Sequence, residues 1–160
     1  SCRPEPRPPR ARAGNRVAAN DSPKPPPLHL PRMTFETTIP VRYRDLDPMG
    51  HVNNAVYATY FEEVRTAFFR EEVGVDLADS RAALASLSID FRAPIEGTGT
   101  VRAVLDVTDV GTTSLTFSYE LHVEGRLVAE GETVQVALGE DGPEPLPDAV
   151  RAAAERHATE

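Results

Sequence analysis

The sequence lacks several features that define large classes of protein. Its 160 residues contain one cysteine, Cys2, so there is neither an intrachain disulfide nor a cysteine cluster for a metal. No apolar run approaches the roughly 18 residues of a membrane-spanning helix, and the N-terminal residues lack the apolar middle of a secretory signal. These absences predict a cytoplasmic protein.

Lysine is absent after Lys24, and charge is distributed unevenly along the chain. Residues 1–32 hold seven Lys and Arg against two acids, whereas residues 33–160 hold ten Arg against 23 Asp and Glu. Such an acidic surface repels nucleic acid and anionic membrane, so neither is an expected partner of the folded part. Two interpretations stay open: a host with a salty cytoplasm, where high ionic strength screens the repulsion, or a generic acidic protein from a GC-rich genome.

Proline is concentrated at the start of the chain, since nine of the 15 prolines lie within residues 1–32. That segment has almost no apolar periodicity and cannot bury enough surface to offset its ordering entropy. We predict a disordered tail, which either binds a partner as a basic polyproline-type segment or lies upstream of a true start at Met33. The abrupt change in composition at Met33 favours the second interpretation and predicts a single domain over residues 33–160.

Hydrophobic periodicity predicts a strand followed by a long helix. Residues 35–44 alternate and are rich in β-branched side chains, as strands are. Apolar residues then recur at helical spacing from Val56 to Phe68, which predicts about five turns that begin at Asn53 or Asn54 and end at Gly74. Charged residues are assigned to the other, solvated side of this helix: Glu62, Glu63, Arg65, Glu71 and Glu72.

The second half of the chain alternates in four segments, which cover residues 84–95, 99–110, 113–125 and 126–138. Glycine and acidic residues between the last three predict hairpin turns, so these strands should be antiparallel. Residues 148–157 could form a short helix. A single long helix with an apolar stripe must bury that stripe on the sheet, so the predicted fold class is α+β.

The polar loop between the first strand and the helix is the candidate site. Asp45, Asp47 and Gly50 match three positions of an EF-hand calcium loop, but Val56 stands where a bidentate Glu is required. A transition-metal site of two Asp and His51 has no second ligand cluster to complete it. We therefore predict no metal site.

The same loop delivers Asp47 and His51 to the start of a helix, where backbone N–H groups lack partners and the dipole favours negative charge. A carboxylate beside such donors, with an electrophilic carbonyl between them, is an arrangement for acyl transfer. On spacing alone, the simpler interpretation is that Asp47 closes the turn, Asn53 caps the helix, and His51 packs or faces solvent.

The stretch "DLDPMGHVNNAVYATYFEEVR", residues 45–65, resembles the signature of the hotdog-fold acyl-CoA thioesterases, the 4-hydroxybenzoyl-CoA thioesterase-like family. "LSIDFRAPIEGTGTVRAVLDV", residues 87–107, is similar to the second and third strands of that family. The resemblance spans roughly residues 35–138. It implies a hotdog fold, in which an antiparallel sheet wraps around one long central helix, and hydrolysis of a fatty or aromatic acyl-CoA without a metal or bound cofactor.

Residue by residue, the resemblance implies that Asp47 is the catalytic carboxylate, as general base or as nucleophile. The backbone N–H of Asn54 would polarise the thioester, and Gly50 would give the loop freedom to reach the substrate. His51 matches a histidine that plant acyl-carrier-protein thioesterases use in catalysis. Met49 stands where that branch has Asn, so catalytic, orienting and structural roles of His51 all stay open.

Tyr57 and three arginines are further candidates for binding the substrate. Tyr57 lies near the expected acyl pocket, although aromatic residues at helical spacing are more often core. Arg92, with Arg102 and Arg126, is a candidate for coenzyme A phosphates because Arg pairs well with phosphate; ordinary surface arginines are an equal alternative. Asp45 is assigned to turn structure, and the sequence offers no partner for His157.

The resemblance also implies a homodimer or homotetramer whose active sites lie at the dimer interface. Two rival functions stay open. One is a thioesterase for acyl groups on acyl carrier protein, which the acidic surface disfavours because carrier proteins are themselves usually acidic. The other is a hotdog domain that binds acyl-CoA without hydrolysing it.

Overall fold

Residues 33–158 are described by a computed structural model, and the predicted tail, residues 1–32, lies outside them. Six strands and two α-helices follow one another in the order β1 (Phe35–Pro40), α1 (Val56–Phe68), β2 (Ala82–Phe91), β3 (Thr100–Val110), β4 (Ser114–Val123), β5 (Arg126–Gly139), β6 (Gly142–Pro143) and α2 (Asp148–His157). A single π-helical turn, Phe69–Val73, continues α1. Short 3-10 turns cover Tyr43–Asp45 and Leu77–Asp79.

The strands form an antiparallel sheet in the spatial order β1-β3-β4-β5-β2, with the short β6 paired to the end of β5. The sheet edges therefore include β1 on one side and β2 on the other. The sheet curls around α1, which is the long central helix. The α+β class and this architecture were predicted from the sequence, and the structure confirms both.

The core lies between α1 and the concave face of the sheet. On β4 every second side chain is buried: Leu115, Phe117 and Leu121 are no more than 1% exposed. Phe61 on α1 stacks on Tyr119 with ring centroids 4.3 Å apart and planes 10° apart. Each fully buried side chain of this size contributes about 2 kcal/mol relative to an exposed one, so this layer holds the helix on the sheet.

Three details of the predicted elements are wrong. The strand predicted over residues 84–95 covers Ala82–Phe91. The first strand ends at Pro40 rather than at residue 44, because proline has no N–H for the ladder and the chain then turns. Arg65 is not on the solvated side of α1, since only 6% of it is exposed. It lies four residues after Phe61 and three before Phe68, which places it on the apolar face.

The ends of α1 are close to those predicted. The Asn53 side-chain oxygen accepts a hydrogen bond from the N–H of Ala55 at 2.9 Å, just before the first helical residue. At the other end Gly74, with φ of +83°, stops the π-helical turn. Among residues 33–158, no helix combines the length and apolar character needed to cross a membrane.

Candidate active site

Asp47 closes the tight turn that leads to α1. Its Oδ1 accepts hydrogen bonds from the backbone N–H groups of Met49 at 2.9 Å and of His51 at 3.1 Å. The Gly50 N–H donates to the Asp47 carbonyl at 2.9 Å, and Gly50 has φ of +76°, in the region that favours glycine. Oδ2 has no hydrogen-bond donor among the described residues. The half-buried carboxylate is therefore oriented through one oxygen and available through the other.

Among the described residues, the backbone N–H of Asn54 is a free donor just before α1. The neighbouring backbone N–H groups each donate a hydrogen bond of 2.8–2.9 Å within the protein. These groups belong to Val52, Asn53, Ala55 and Val56. Within the part of the chain that the structure describes, the N–H of Asn54 has no acceptor, and the residue is exposed. A free N–H at the positive end of a helix dipole suits a carbonyl oxygen that gains negative charge.

The buried Asp45 carboxylate holds the loop in place through hydrogen bonds. It is 4% exposed and accepts hydrogen bonds from the Arg42 N–H at 2.8 Å and the Tyr60 hydroxyl at 2.9 Å. Burial acts to raise the pKa of Asp45, but these two donors and the Arg42 charge outweigh it and hold that pKa below its usual value. Burial and the Asp45 charge raise the pKa of Tyr60, so its hydroxyl stays a donor. Asp45 is structural, as predicted.

His51 lies beside Asp47 in the chain but its ring is directed elsewhere. Its Nε2 is 3.4 Å from Glu96 Oε1, and its side chain is 35% exposed. Among the described residues no hydrogen bond joins the imidazole to the Asp47 carboxylate. Glu96 was missed in the sequence because it follows β2 and meets the loop only through tertiary pairing.

Tyr57 is buried beneath the edge of the sheet. It is 2% exposed and packs edge-on against Phe91, with ring centroids 4.9 Å apart. Burial raises the pKa of the Tyr57 hydroxyl, although the backbone of Ile95 opposes this. Phe91, at the end of β2, is itself 49% exposed, and sequence reasoning missed it because its apolar character alone indicates only a strand.

Two of the candidate arginines form ion pairs with residues outside this loop. Arg92 is exposed and forms an ion pair with Glu130, and Arg102 pairs with Glu36 at 2.8 Å. Hydrogen bonds join Asp47 to Gly50 and His51, whereas Asn54 and Tyr57 follow in the chain at the start of α1 and Arg92 follows Phe91. Within residues 33–158, no group of three or more His, Cys, Asp or Glu is placed to hold a metal ion.

Chemically, this segment offers a free carboxylate oxygen on Asp47 and a free backbone donor on Asn54, seven residues apart in the chain. A carbonyl group whose oxygen accepts from the Asn54 N–H would present its carbon to nucleophilic attack. The free Asp47 oxygen could attack that carbon or activate water. The arrangement therefore suits acyl transfer.

Comparisons with known proteins point the same way. Residues 41–154 match the family described as the thioesterase-like superfamily. A thioesterase from Thermus thermophilus, solved in complex with coenzyme A and Zn, is 32% identical with a TM-score of 0.70, covering 76% of this chain and 92% of that one. A predicted thioesterase from Bacillus stearothermophilus is 28% identical with a TM-score of 0.72, covering 79% of this chain and 98% of that one. YsmA of Bacillus subtilis strain 168, an uncharacterized protein, is 27% identical over 110 residues, or 68% of this chain and 75% of YsmA.

Proposed function

This hotdog-fold chain belongs to the thioesterase-like superfamily and is a thioester hydrolase, and we propose that it cleaves fatty or aromatic acyl-CoA to the free acid and coenzyme A. The observation that carries the proposal is the free Asp47 oxygen close in the chain to the free N–H of Asn54 at the start of α1. The Thermus thermophilus thioesterase, which was solved with coenzyme A, supports coenzyme A as the carrier.

In the proposed mechanism, the thioester oxygen accepts a hydrogen bond from the Asn54 N–H at the positive end of α1, which stabilises the oxyanion as it forms. Asp47 then acts in one of two ways. Its Oδ2 attacks the carbonyl carbon and expels the coenzyme A thiolate, leaving a mixed anhydride that water hydrolyses. Alternatively, Oδ2 takes a proton from a water that attacks the carbonyl carbon, and the tetrahedral intermediate then expels the coenzyme A thiolate as the C–S bond breaks. In both routes the two N–H groups on Oδ1 hold the carboxylate in place.

We propose further that the enzyme is a homodimer paired through β2. Along that edge strand Leu84, Leu87 and Phe91 are 45%, 41% and 49% exposed, and an exposed apolar edge is a template for strand pairing. If β2 pairs antiparallel with its copy near the middle of the strand, Leu84 of one subunit lies beside Phe91 of the other. The loop of one subunit would then face the start of β2 in its partner. Pairing of dimers into tetramers and a cytoplasmic location stay predictions.

Thiol release from short, long and aromatic acyl-CoAs, at low and high salt, tests the proposed reaction. We expect Asp47→Asn to lower kcat by roughly 10²- to 10⁴-fold, the usual contribution of a general base. Asp109→Asn is the matched control, because Asp109 is an exposed carboxylate toward the end of β3. A single turnover in isotopically labelled water tests for the nucleophilic route, since water that attacks the Asp47 carbonyl of the mixed anhydride leaves label in Asp47, whereas the general-base route labels only the product acid.

A folded wild type that binds acyl-CoA but releases no thiol from any member of the panel would contradict the proposal and indicate a binding protein. Efficient turnover of acyl groups on acyl carrier protein, with none on coenzyme A, would instead change the carrier and leave the chemistry in place.

A further inference from the structure

A group of buried polar side chains lies in the otherwise apolar layer between α1 and the sheet. Arg65, Thr133 and Gln135 are 6%, 0% and 8% exposed. Arg65 donates to the Tyr119 hydroxyl at 3.2 Å, and that hydroxyl lies 2.7 Å from Thr133 Oγ1. Buried polar groups are retained at a cost in stability unless they are well paired, so their partners matter.

Arg65 lacks the partner that a buried cation needs. Within residues 33–158 it forms no ion pair with a carboxylate, and its one hydrogen bond goes to the neutral Tyr119 hydroxyl. Its guanidinium carbon also lies 6.0 Å from the centre of the Tyr119 ring. A guanidinium has five N–H donors, so this one neutral acceptor leaves most of them available to a ligand or to water in the adjoining space.

The unpaired groups border a cavity of about 380 Å³ between α1 and the edge of the sheet. Arg65 and Gln135 line it together with Thr66, Ser80 and Leu84. The Gln135 Oε1 is buried and has no hydrogen-bond partner among the described residues. The cavity thus has a buried cation and a free amide on its walls, which is a site built for a polar ligand.

Two acids, Glu62 and Asp76, also line this cavity. Both are exposed, so water screens their charges far more than it screens the buried Arg65 charge. They disfavour a highly charged ligand such as phosphate. A single carboxylate fits better, because guanidinium binds it through two parallel hydrogen bonds, and the Gln135 amide can rotate to donate a third.

We propose that this cavity binds a carboxylate, and that this carboxylate is the end of the acyl group that lies far from the thioester. The second part rests on the proposed function. Ala82 and Leu84, which line the cavity, are at the end of β2 that faces the other subunit's loop in the proposed dimer. The preferred substrates are then coenzyme A thioesters of dicarboxylic acids.

The test compares kcat/KM for acyl-CoAs that end in a carboxylate with those of the same length that end in a methyl group, over a series of lengths. At the length that reaches Arg65, we expect the wild type to prefer the carboxylate by roughly 10- to 100-fold, the contribution of hydrogen bonds to a charged group. Arg65→Met should abolish the preference, chiefly through KM, and Arg65→Lys should keep part of it. Arg70→Met is the control, because Arg70 is exposed on the same helical segment.

A wild type that favours methyl-ended substrates at every length, with a ratio that Arg65→Met leaves unchanged, overturns the inference while the thioesterase stands. If no substrate releases thiol, the proposed function fails, and calorimetry of octanoate against octan-1-ol decides on the cavity alone. Tighter binding of octanoate that is lost in Arg65→Met but kept in Arg70→Met supports the carboxylate site; equal binding overturns it. If Arg65→Met does not fold, Gln135→Leu takes its place and should also reduce the preference.

Discussion

Asp45 is a buried carboxylate whose charge is balanced by its neighbours. Replacing it with Asn removes the charge while the Tyr60 hydroxyl and the Arg42 N–H, 2.9 and 2.8 Å away, remain buried beside the new amide. We expect Asp45→Asn to lower the free energy of unfolding at pH 7 by about 2 kcal/mol, as for a lost hydrogen bond to a charged group. Urea denaturation measures this.

The Asp45 carboxyl group also makes this loss of unfolding free energy depend on pH. Its pKa is lower in the folded protein than in the unfolded chain, because the surrounding donors outweigh burial. Its stabilisation is therefore complete above the unfolded pKa of about 3.9 and is lost as the pH falls through the lower folded value. The difference between wild type and Asp45→Asn should shrink below about pH 4. A difference that stays constant in acid would contradict the prediction.

Gly131 is needed where α1 meets the sheet. A Cβ at this position would lie 2.5 Å from Phe61 Cε2 and would also clash with the Ser88 carbonyl on β2. Phe61 cannot move freely because it is stacked on Tyr119. Gly131→Ala should therefore lower the free energy of unfolding by about 1–3 kcal/mol through overpacking. Gly99→Ala, which meets nothing within 4 Å, should be close to neutral in the same thermal denaturation; equal effects would contradict the prediction.

Among the elements, β2 is the one that we assign to the proposed dimer interface. A lysine at Leu87 would place a charge in the middle of the proposed strand pair without disturbing the core, since Leu87 is 41% exposed. We expect Leu87→Lys to be a folded monomer with reduced thiol release, as measured by analytical ultracentrifugation and the thiol assay. Met33→Lys, which changes another exposed apolar residue, should remain a dimer. A wild type that is itself monomeric and active would refute the proposed assembly.

At the level of elements, most of the fold could be predicted because its signals are local. Alternation and helical spacing depend on neighbours within a few residues, so α2 was predicted over the 148–157 range that the structure shows. Apart from the end of β1 at Pro40, the errors came from contacts between distant segments. His157 was predicted to lack a partner, yet its Nδ1 lies 2.7 Å from the Met33 carbonyl and its Nε2 lies 3.0 Å from Glu72.

The candidate site was only partly predictable for the same reason. The turn formed by Asp47 and Gly50 could be predicted because it involves residues 47–51 only, and the structure contains it. The pairing of His51 with Glu96 and the burial of Arg65 depend on how β2 and β5 pack against α1, which spacing does not encode. The family and fold are confirmed, whereas the catalytic roles of Asp47, His51 and Asn54 stay predictions.

For the whole molecule, the acidic surplus has a measurable consequence. Residues 33–160 carry 23 acids against ten Arg, so the folded protein repels itself more than the expanded chain does. Raising salt from about 0.01 to 1 M shortens the screening length from about 30 to 3 Å, and Tm should rise. Scanning calorimetry in sodium chloride, with sucrose at matched water activity as the control, checks this. A Tm that does not respond would argue against a salty host.

Pairing through the exposed β2 edge also predicts complementation between two different mutant subunits. If each catalytic loop works against the cavity of the other subunit, a subunit with Asp47→Asn and a subunit with Arg65→Met each carry the part that the other has lost. Their hybrid would contain one intact site and one doubly defective site. Refolding the two variants together should therefore give, at substrate concentrations below KM, about a quarter of the normal activity on carboxylate-ended substrates, because half of randomly formed pairs in a symmetric dimer are hybrids. Two damaged alleles could thus complement each other in one cell.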